Sequence, residues 1–117
     1  MVTALVPIKA VSVLNVREHH MARARRAGKH REDTWWALAQ ASGFGRWPRK
    51  GDDRARVTLT RIAPRDLDGD NLQASLKACR DGVADWLGLD DRDQRITWTY
   101  AQRAGKPREY AVEVKVE

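Results

Sequence analysis

The stretch Asp70–Gly88, "DNLQASLKACRDGVADWLG", decides the architecture. Its apolar residues Leu72, Leu76, Cys79, Val83, Trp86 and Leu87 recur at spacings of 4, 3, 4, 3 and 1. On a helix turning roughly 100° per residue they fall within about 100° of arc. The spacing predicts one amphipathic helix of about 17 residues, roughly 25 Å long. Asp70 or Asn71 suits its N-cap and Gly88 its end. Such a helix needs an apolar surface to cover.

The flanking segments supply one. "ARVTLTRI" (55–62) alternates as a half-buried strand does, with Val57, Leu59 and Arg61 on one face and Thr58, Thr60 and Ile62 on the other. "RITWTYAQ" and "REYAVEVKVE" alternate too, and "RAGKP" between them predicts a hairpin. Upstream, "VTALVPIKAVSVL" (2–14) is β-branched and interrupted by Pro7, which predicts an edge strand or a broken one. Asp33 as N-cap before "TWWALAQAS" predicts a short helix closing at Gly43, followed by a turn-rich connection, "GFGRWPRKGDDR". Residues 17–31, "REHHMARARRAGKHR", carry six Lys/Arg and all three histidines. Gly28 weakens a helix there, so the segment reads as a basic loop or arm. The expected fold is α+β: a small single domain over residues 1–117, with a mixed β-sheet and helices packed on one face.

Bulk properties narrow the function classes. At 117 residues the chain supports one modest core. No apolar run approaches the roughly 18–20 residues that span a bilayer, and the N-terminus lacks the order of a signal peptide, so no membrane partner and a cytoplasmic location are expected. The single Cys79 cannot form an internal disulfide or a multi-thiolate zinc site, and it falls on the apolar stripe as a core residue. The net charge of +6 is divided unevenly: residues 1–56 hold 12 Lys/Arg against 5 Asp/Glu, and residues 57–117 hold 10 against 11. A basic half attracts polyanions, of which nucleic acid is the commonest.

Within the acidic half, "RDLDGDN" (65–71) crowds Asp66, Asp68 and Asp70 together, and Asp90, Asp91 and Asp93 follow the helix. Carboxylates two apart on an extended segment project to one side. Crowding them costs free energy unless a cation or hydrogen-bond donors compensate. All-oxygen ligands suit Mg²⁺, Mn²⁺ or Ca²⁺ and not zinc. A calcium EF-hand fails, because with Asp66 as the first position the sixth is Asn71 instead of Gly and the twelfth is Lys77 instead of Glu. A turn and a helix N-cap would account for one or two of these residues without any ion. Lys77 lies seven residues after Asp70, on the same helical face as Asp81 and opposite the apolar stripe. Side chains lean toward the helix N-terminus, so Lys77 would reach back toward Asp70; pairing with Asp81 at i,i+4 is the plainer use. Trp86 and Trp98 read as core, whereas Trp35, Trp36 and Trp47 are open to stacking on an unpaired base.

"DGDNL", a helix bearing a lysine and then "WLGLDD" resemble the RusA family of phage-type Holliday-junction endonucleases, over about residues 55–117. The resemblance implies a RusA-like fold and a homodimeric, Mg²⁺- or Mn²⁺-dependent endonuclease that resolves four-way DNA junctions. By that likeness Asp68 and Asp70 match the paired aspartates, Asn71 the asparagine, Lys77 the lysine and Asp91 the third carboxylate. Asp66 offers a second register, and Asp90 stands beside Asp91. Arg17, Arg23, Arg25, Arg26, Lys29 and Arg31 would then form the DNA-binding surface. Two other readings stand beside this one: an inactive junction-binding protein, and a structure-selective nuclease without junction preference.

Overall fold

The computed structural model describes residues 1–11, 19–45, 47 and 54–117. Among the described residues four strands, β1 (Val2–Val6), β2 (Ala55–Ala63), β3 (Ile96–Ala104) and β4 (Ala111–Val116), form one mixed sheet in the order β1-β4-β2-β3. Three helices among those residues, α1 (His20–Ala41), α2 (Gly69–Ser75) and α3 (Lys77–Leu87), give the α+β fold expected from the pattern. β4 runs antiparallel to both β1 and β2, while β2 and β3 are parallel from Ala55↔Ile96 to Ala63↔Ala104.

The core lies between the helices and one sheet face. Val6, Val57, Leu59, Val112, Val114 and Val116 meet Leu38, Leu72, Leu76, Cys79, Val83 and Leu87 there. The whole predicted helical stripe is buried, and burial pushes the Cys79 thiol up to about 11, as befits an inert core residue. Arg61 keeps to the inward face of β2. Its Nε donates to the Ala10 carbonyl and its Nη1 to the Arg65 carbonyl, so the buried cation fastens two loops. β1 stops at Val6, where Pro7 removes a donor, and it occupies a sheet edge as Pro7 foretold.

Five expectations are corrected. Residues 20–31 are not a loop or arm but the first half of α1, which runs unbroken through Gly28. One glycine costs a helix about 1 kcal/mol, and the packing of α1 on α3 and β1 outweighs it. Asp33 is therefore mid-helix, and His19 is the N-cap, its Nδ1 accepting from the Met21 N–H at 3.2 Å. The predicted single helix is two, broken at Leu76. The Ser75 hydroxyl donates to the Leu72 carbonyl at 2.7 Å, the acceptor a regular helix would offer to the Leu76 N–H, which turns to Gln73 instead. The N-cap of α2 is Asp68, not Asp70 or Asn71. Finally, β3 and β4 are no hairpin, because β2 lies between them. β4 alternates Val112, Val114 and Val116 into the core and takes an interior place, whereas the more polar β3 takes the edge. The link 105–110 crosses the end of β2, where the Gly105 N–H donates to the Ala63 carbonyl at 2.9 Å.

Gly82 sets how closely α1 and α3 approach. A Cβ there would overlap the Arg31 carbonyl oxygen and stand 2.9 Å from the Thr34 Cβ. Gly82→Ala should cost about 1–3 kcal/mol. Gly28→Ala, with nothing within 4 Å of the added methyl, should instead stabilise by about 0.5–1 kcal/mol. Urea unfolding midpoints at neutral pH would read both signs.

Candidate functional site

Three residues of β3, spaced by two, point toward the helices, and each holds a different element. Gln102 exchanges hydrogen bonds with the Leu67 backbone, its Oε1 accepting from the N–H at 2.8 Å and its Nε2 donating to the carbonyl at 2.7 Å. This keeps the chain before α2 extended. Tyr100 accepts from Arg80 Nη1 at 2.9 Å, and Trp98 Nε1 donates to the Asp91 carbonyl at 2.9 Å. The aspartate loop, α3 and the return loop are thus aligned along one strand.

Asp68 ends the extended piece. Its Oδ1 accepts from the Asn71 backbone N–H at 3.0 Å and from the Asn71 side-chain amide at 2.8 Å. These donors hold its carboxyl below the usual range. Asp70 follows in the first turn of α2, exposed, and Asp66 is exposed in the loop before it.

At the other end, Gly88 adopts φ 72° and turns the chain out of α3. The turn at 90–93 closes with the Asp93 N–H donating to the Asp90 carbonyl, and Asp91 comes to rest against α3. Its Oδ2 accepts from Lys77 Nζ at 2.8 Å and from Arg80 Nε at 3.0 Å. Arg80 also donates through Nη2 to the Asp91 carbonyl at 2.9 Å, and its guanidinium lies 4.6 Å from the centre of the Trp98 ring. Lys77 reaches Asp81 as well, at 2.8 Å. Its side chain therefore extends toward the later turns of α3, not back toward Asp70 as the usual lean suggests. The Lys77 ammonium, with Arg80 beside it, draws the Asp91 carboxyl below its ordinary range. Burial works against the charge on Lys77, but its bonds to Asp81 and Asp91 prevail and raise its pKa.

Of the residues singled out by sequence, Lys77 and Asp91 are brought into contact. Asp68 and Asp70 sit apart from them at the start of α2. Asp91 lines one cavity with Gln73, Ala74, Lys77, Arg80 and Tyr100 and another with Asp81, Asp85 and Asp90, and neither includes Asp68 or Asp70. The donors are all carboxylate oxygens, the chemistry of a hard divalent cation, so in kind they fit one. In position they are dispersed: among the described residues no three acidic, His or Cys side chains gather closely enough to share an ion.

The basic residues also separate. Arg31 makes a bidentate pair with Asp85 at 2.6 and 2.7 Å, fastening α1 to α3. Lys29 pairs with Asp33 at 3.4 Å, Arg25 is exposed, and Arg23 and Arg26 border a cavity with Lys77. Arg17 lies outside the described residues. Arg80, Tyr100 and Gln102 escaped the sequence reading, although Arg80, three residues after Lys77, shares its helical face. Trp98 is half-buried and packs on the core as expected, but its indole N–H serves Asp91. Among the described residues no helix is long and apolar enough to cross a membrane. No protein-family model matches the chain, and no curated protein matches it.

Asp91→Asn would leave Lys77 and Arg80 without their shared carboxylate and should lower stability at pH 7 by about 1–3 kcal/mol. Because the folded-state pKa of Asp91 is depressed, its contribution is complete above the unfolded value of about 3.9 and is lost as pH falls through the folded value. Denaturant melts from pH 7 down to the acid limit should show the gap between the two proteins closing below pH about 4.

Proposed function

We propose that this chain is a metal-dependent endonuclease related to the RusA family that cuts four-way DNA junctions. The observation that supports it most is the 2.8 Å contact between Lys77 and Asp91, fourteen residues apart, which the motif likeness selected separately. Asp68 and Asp70 open the helical segment that leads into Lys77. Hydrolysis of a phosphodiester adds water to phosphorus as one P–O bond breaks, leaving a phosphate monoester and a hydroxyl end. The chain must lessen negative charge on the phosphoryl oxygens and orient the attacking water. Lys77, exposed at the start of α3, is suited to the first task. Arg80 holds the Asp91 backbone and carboxylate in register with α3. Asp68, Asp70 and Asp91 are the carboxylates that the likeness assigns to Mg²⁺ or Mn²⁺, which when bound would supply Lewis acidity and a more acidic water; dispersed as they stand, they would have to draw together to share one ion.

Basic residues on α1 would carry DNA phosphates past the acidic loop. A two-fold homodimer would offer two such sites to a junction that is itself nearly two-fold symmetric. One observation favours a second reading, an inactive junction-binding protein: the Asp91 carboxylate is already compensated by two cations.

A labelled four-way junction incubated with Mg²⁺, Mn²⁺ or EDTA separates the two. The nuclease should make paired, symmetric nicks only with metal. Asp70→Asn should reduce cutting to background while leaving junction binding in EDTA intact. Cleavage retained by that variant would remove Asp70 from the site, and binding without cutting by the unaltered protein would establish the inactive reading. A linear-duplex competitor that suppresses cleavage as well as unlabelled junction does would overturn junction preference.

A further inference from the structure

Two cations share one carboxylate oxygen. Asp91 Oδ2 accepts from Lys77 Nζ at 2.8 Å and from Arg80 Nε at 3.0 Å, and the two donors are held in different ways. Arg80 is mostly buried, with 22% of its side chain exposed, and it aims three nitrogens of its guanidinium at fixed acceptors. Nε meets the Asp91 carboxylate, Nη2 the Asp91 carbonyl at 2.9 Å and Nη1 the Tyr100 hydroxyl at 2.9 Å. The same Asp91 carbonyl accepts the Trp98 indole N–H at 2.9 Å, and the Arg80 guanidinium lies 4.6 Å from the centre of the Trp98 ring. A carbonyl oxygen has two lone pairs, and Arg80 and Trp98 take both. Asp91 is thus gripped at side chain and backbone together, from α3 and from β3. Lys77 has no such frame. Its side chain is 58% exposed, its ammonium ends a flexible four-carbon stem, and among the described residues its partners are two carboxylates, Asp81 and Asp91. A pair with one member so open to water is weakly held.

We infer that Arg80 is the positioning residue of the Asp91 loop, locked in place by Tyr100 and Trp98, and that Lys77 is a releasable partner, which leaves Asp91 for a phosphate oxygen of the substrate while the carboxylate stays where it is. The destination of Lys77 rests on the nuclease reading; the division between a fixed and a releasable cation does not. Lys77 and Arg80 are three residues apart on α3 and stand side by side on one face, so repulsion between them favours release of the less tethered. When Lys77 leaves, Oδ2 keeps its bond to Arg80, and the mostly buried carboxylate is not left uncompensated. Asp81, one turn along at i,i+4, still accepts from Lys77, so the ammonium pivots about that contact and is not lost to solvent. A lysine at position 80 would supply a point charge where three acceptors surround a planar fork. Tyr100 acts through Arg80, whose Nη1 it holds, and is itself a positioning residue at one remove.

The test uses the full-length protein in EDTA and follows hydrogen exchange of the Trp98 indole N–H, which reports local opening of the Asp91 loop. Arg80→Gln should speed exchange about tenfold or more, the loss expected for charge-assisted hydrogen bonds, whereas Lys77→Gln should leave it unchanged. Arg80→Lys should not restore protection. Tyr100→Phe keeps the ring and removes only the hydroxyl; it should speed exchange about two- to tenfold, and it carries the test if Arg80 cannot be replaced without unfolding. Acceleration by Lys77→Gln equal to that of the Arg80 or Tyr100 variant, or full protection in Tyr100→Phe, would overturn the division. An uncleaved four-way junction, added to saturation in EDTA, should move the Lys77 ammonium NMR signal and leave indole exchange as it was. An ammonium that stays in place, or an indole that opens with it, would overturn the release. In Mg²⁺, Tyr100→Phe should lower kcat about two- to tenfold with KM unchanged. Failure of the unaltered protein to bind or cut the junction would remove the nuclease reading and with it the destination of Lys77, while the indole rates still decide between fixed and releasable cations. Cleavage at full kcat by Tyr100→Phe would remove the positioning role and leave the nuclease reading standing.

Discussion

The parallel pairing of β2 with β3 is the constraint on which the remaining geometry depends. Two parallel neighbours cannot be joined by a tight turn, so the chain between Ala63 and Ile96 must cross the sheet face and come back. An amphipathic helix makes that crossing economical in buried surface, with Leu72, Leu76, Cys79 and Val83 set down on Val57, Leu59 and Val114. Asp68, Asp70, Lys77, Arg80 and Asp91 all lie in this crossover. Their relative positions are set by the strand pair at its two ends.

The inward polar residues of β3 refine that arrangement. Gln102 fixes the entrance at Leu67, Tyr100 touches Arg80 midway, and Trp98 secures the exit at Asp91. Trp98 and Gln102 are four residues apart, roughly 13 Å along a strand. That span accounts for the dispersal of the carboxylates: entrance and exit are tethered to opposite ends of the same ruler. Within the crossover, negative charge is compensated locally. Asp68 uses the amides of Asn71, Asp85 uses Arg31, and Asp91 uses Lys77 and Arg80. A basic protein thus carries an acidic loop without the loop repelling itself apart.

Much of this was legible because burial imposes a period. The stripe from Leu72 to Leu87 and the alternation of Val57, Leu59 and Arg61 are local patterns, and all these residues are buried. Strand order was less accessible. Alternation in "RITWTYAQ" and "REYAVEVKVE" marks two strands but says nothing of a third passing between them, because pairing depends on which strand has more apolar surface to hide. The helical state of α1 is hidden in the sequence for a related reason. Gly28 and the like charges around it oppose a helix locally, while the contacts that stabilise it, at Thr34, Leu38 and Ala39, come from its second half. At the site, Lys77 and Asp91 could be selected as chemistry-bearing types. Gln102, Tyr100 and Trp98 gave no comparable signal, since their roles exist only once β3 lies beneath the crossover.

The helical state of α1 changes what its charges can do. A loop would present Arg23, Arg25, Arg26, Lys29 and Arg31 as one flexible cationic cloud, attracting any polyanion with little regard for position. A helix packed on α3 sorts them by azimuth. Arg31 meets Asp85 and becomes part of the frame; Arg23 and Arg26 face the α2–α3 break; Arg25 and Lys29 turn outward. The same packing, made close by Gly82, brings the inward pair to the cavity that Lys77 borders, and Lys77 is bonded to Asp91. Positive and negative parts of the chain, separated by some fifty residues in sequence, become adjacent walls of one feature because a single glycine lets two helices approach.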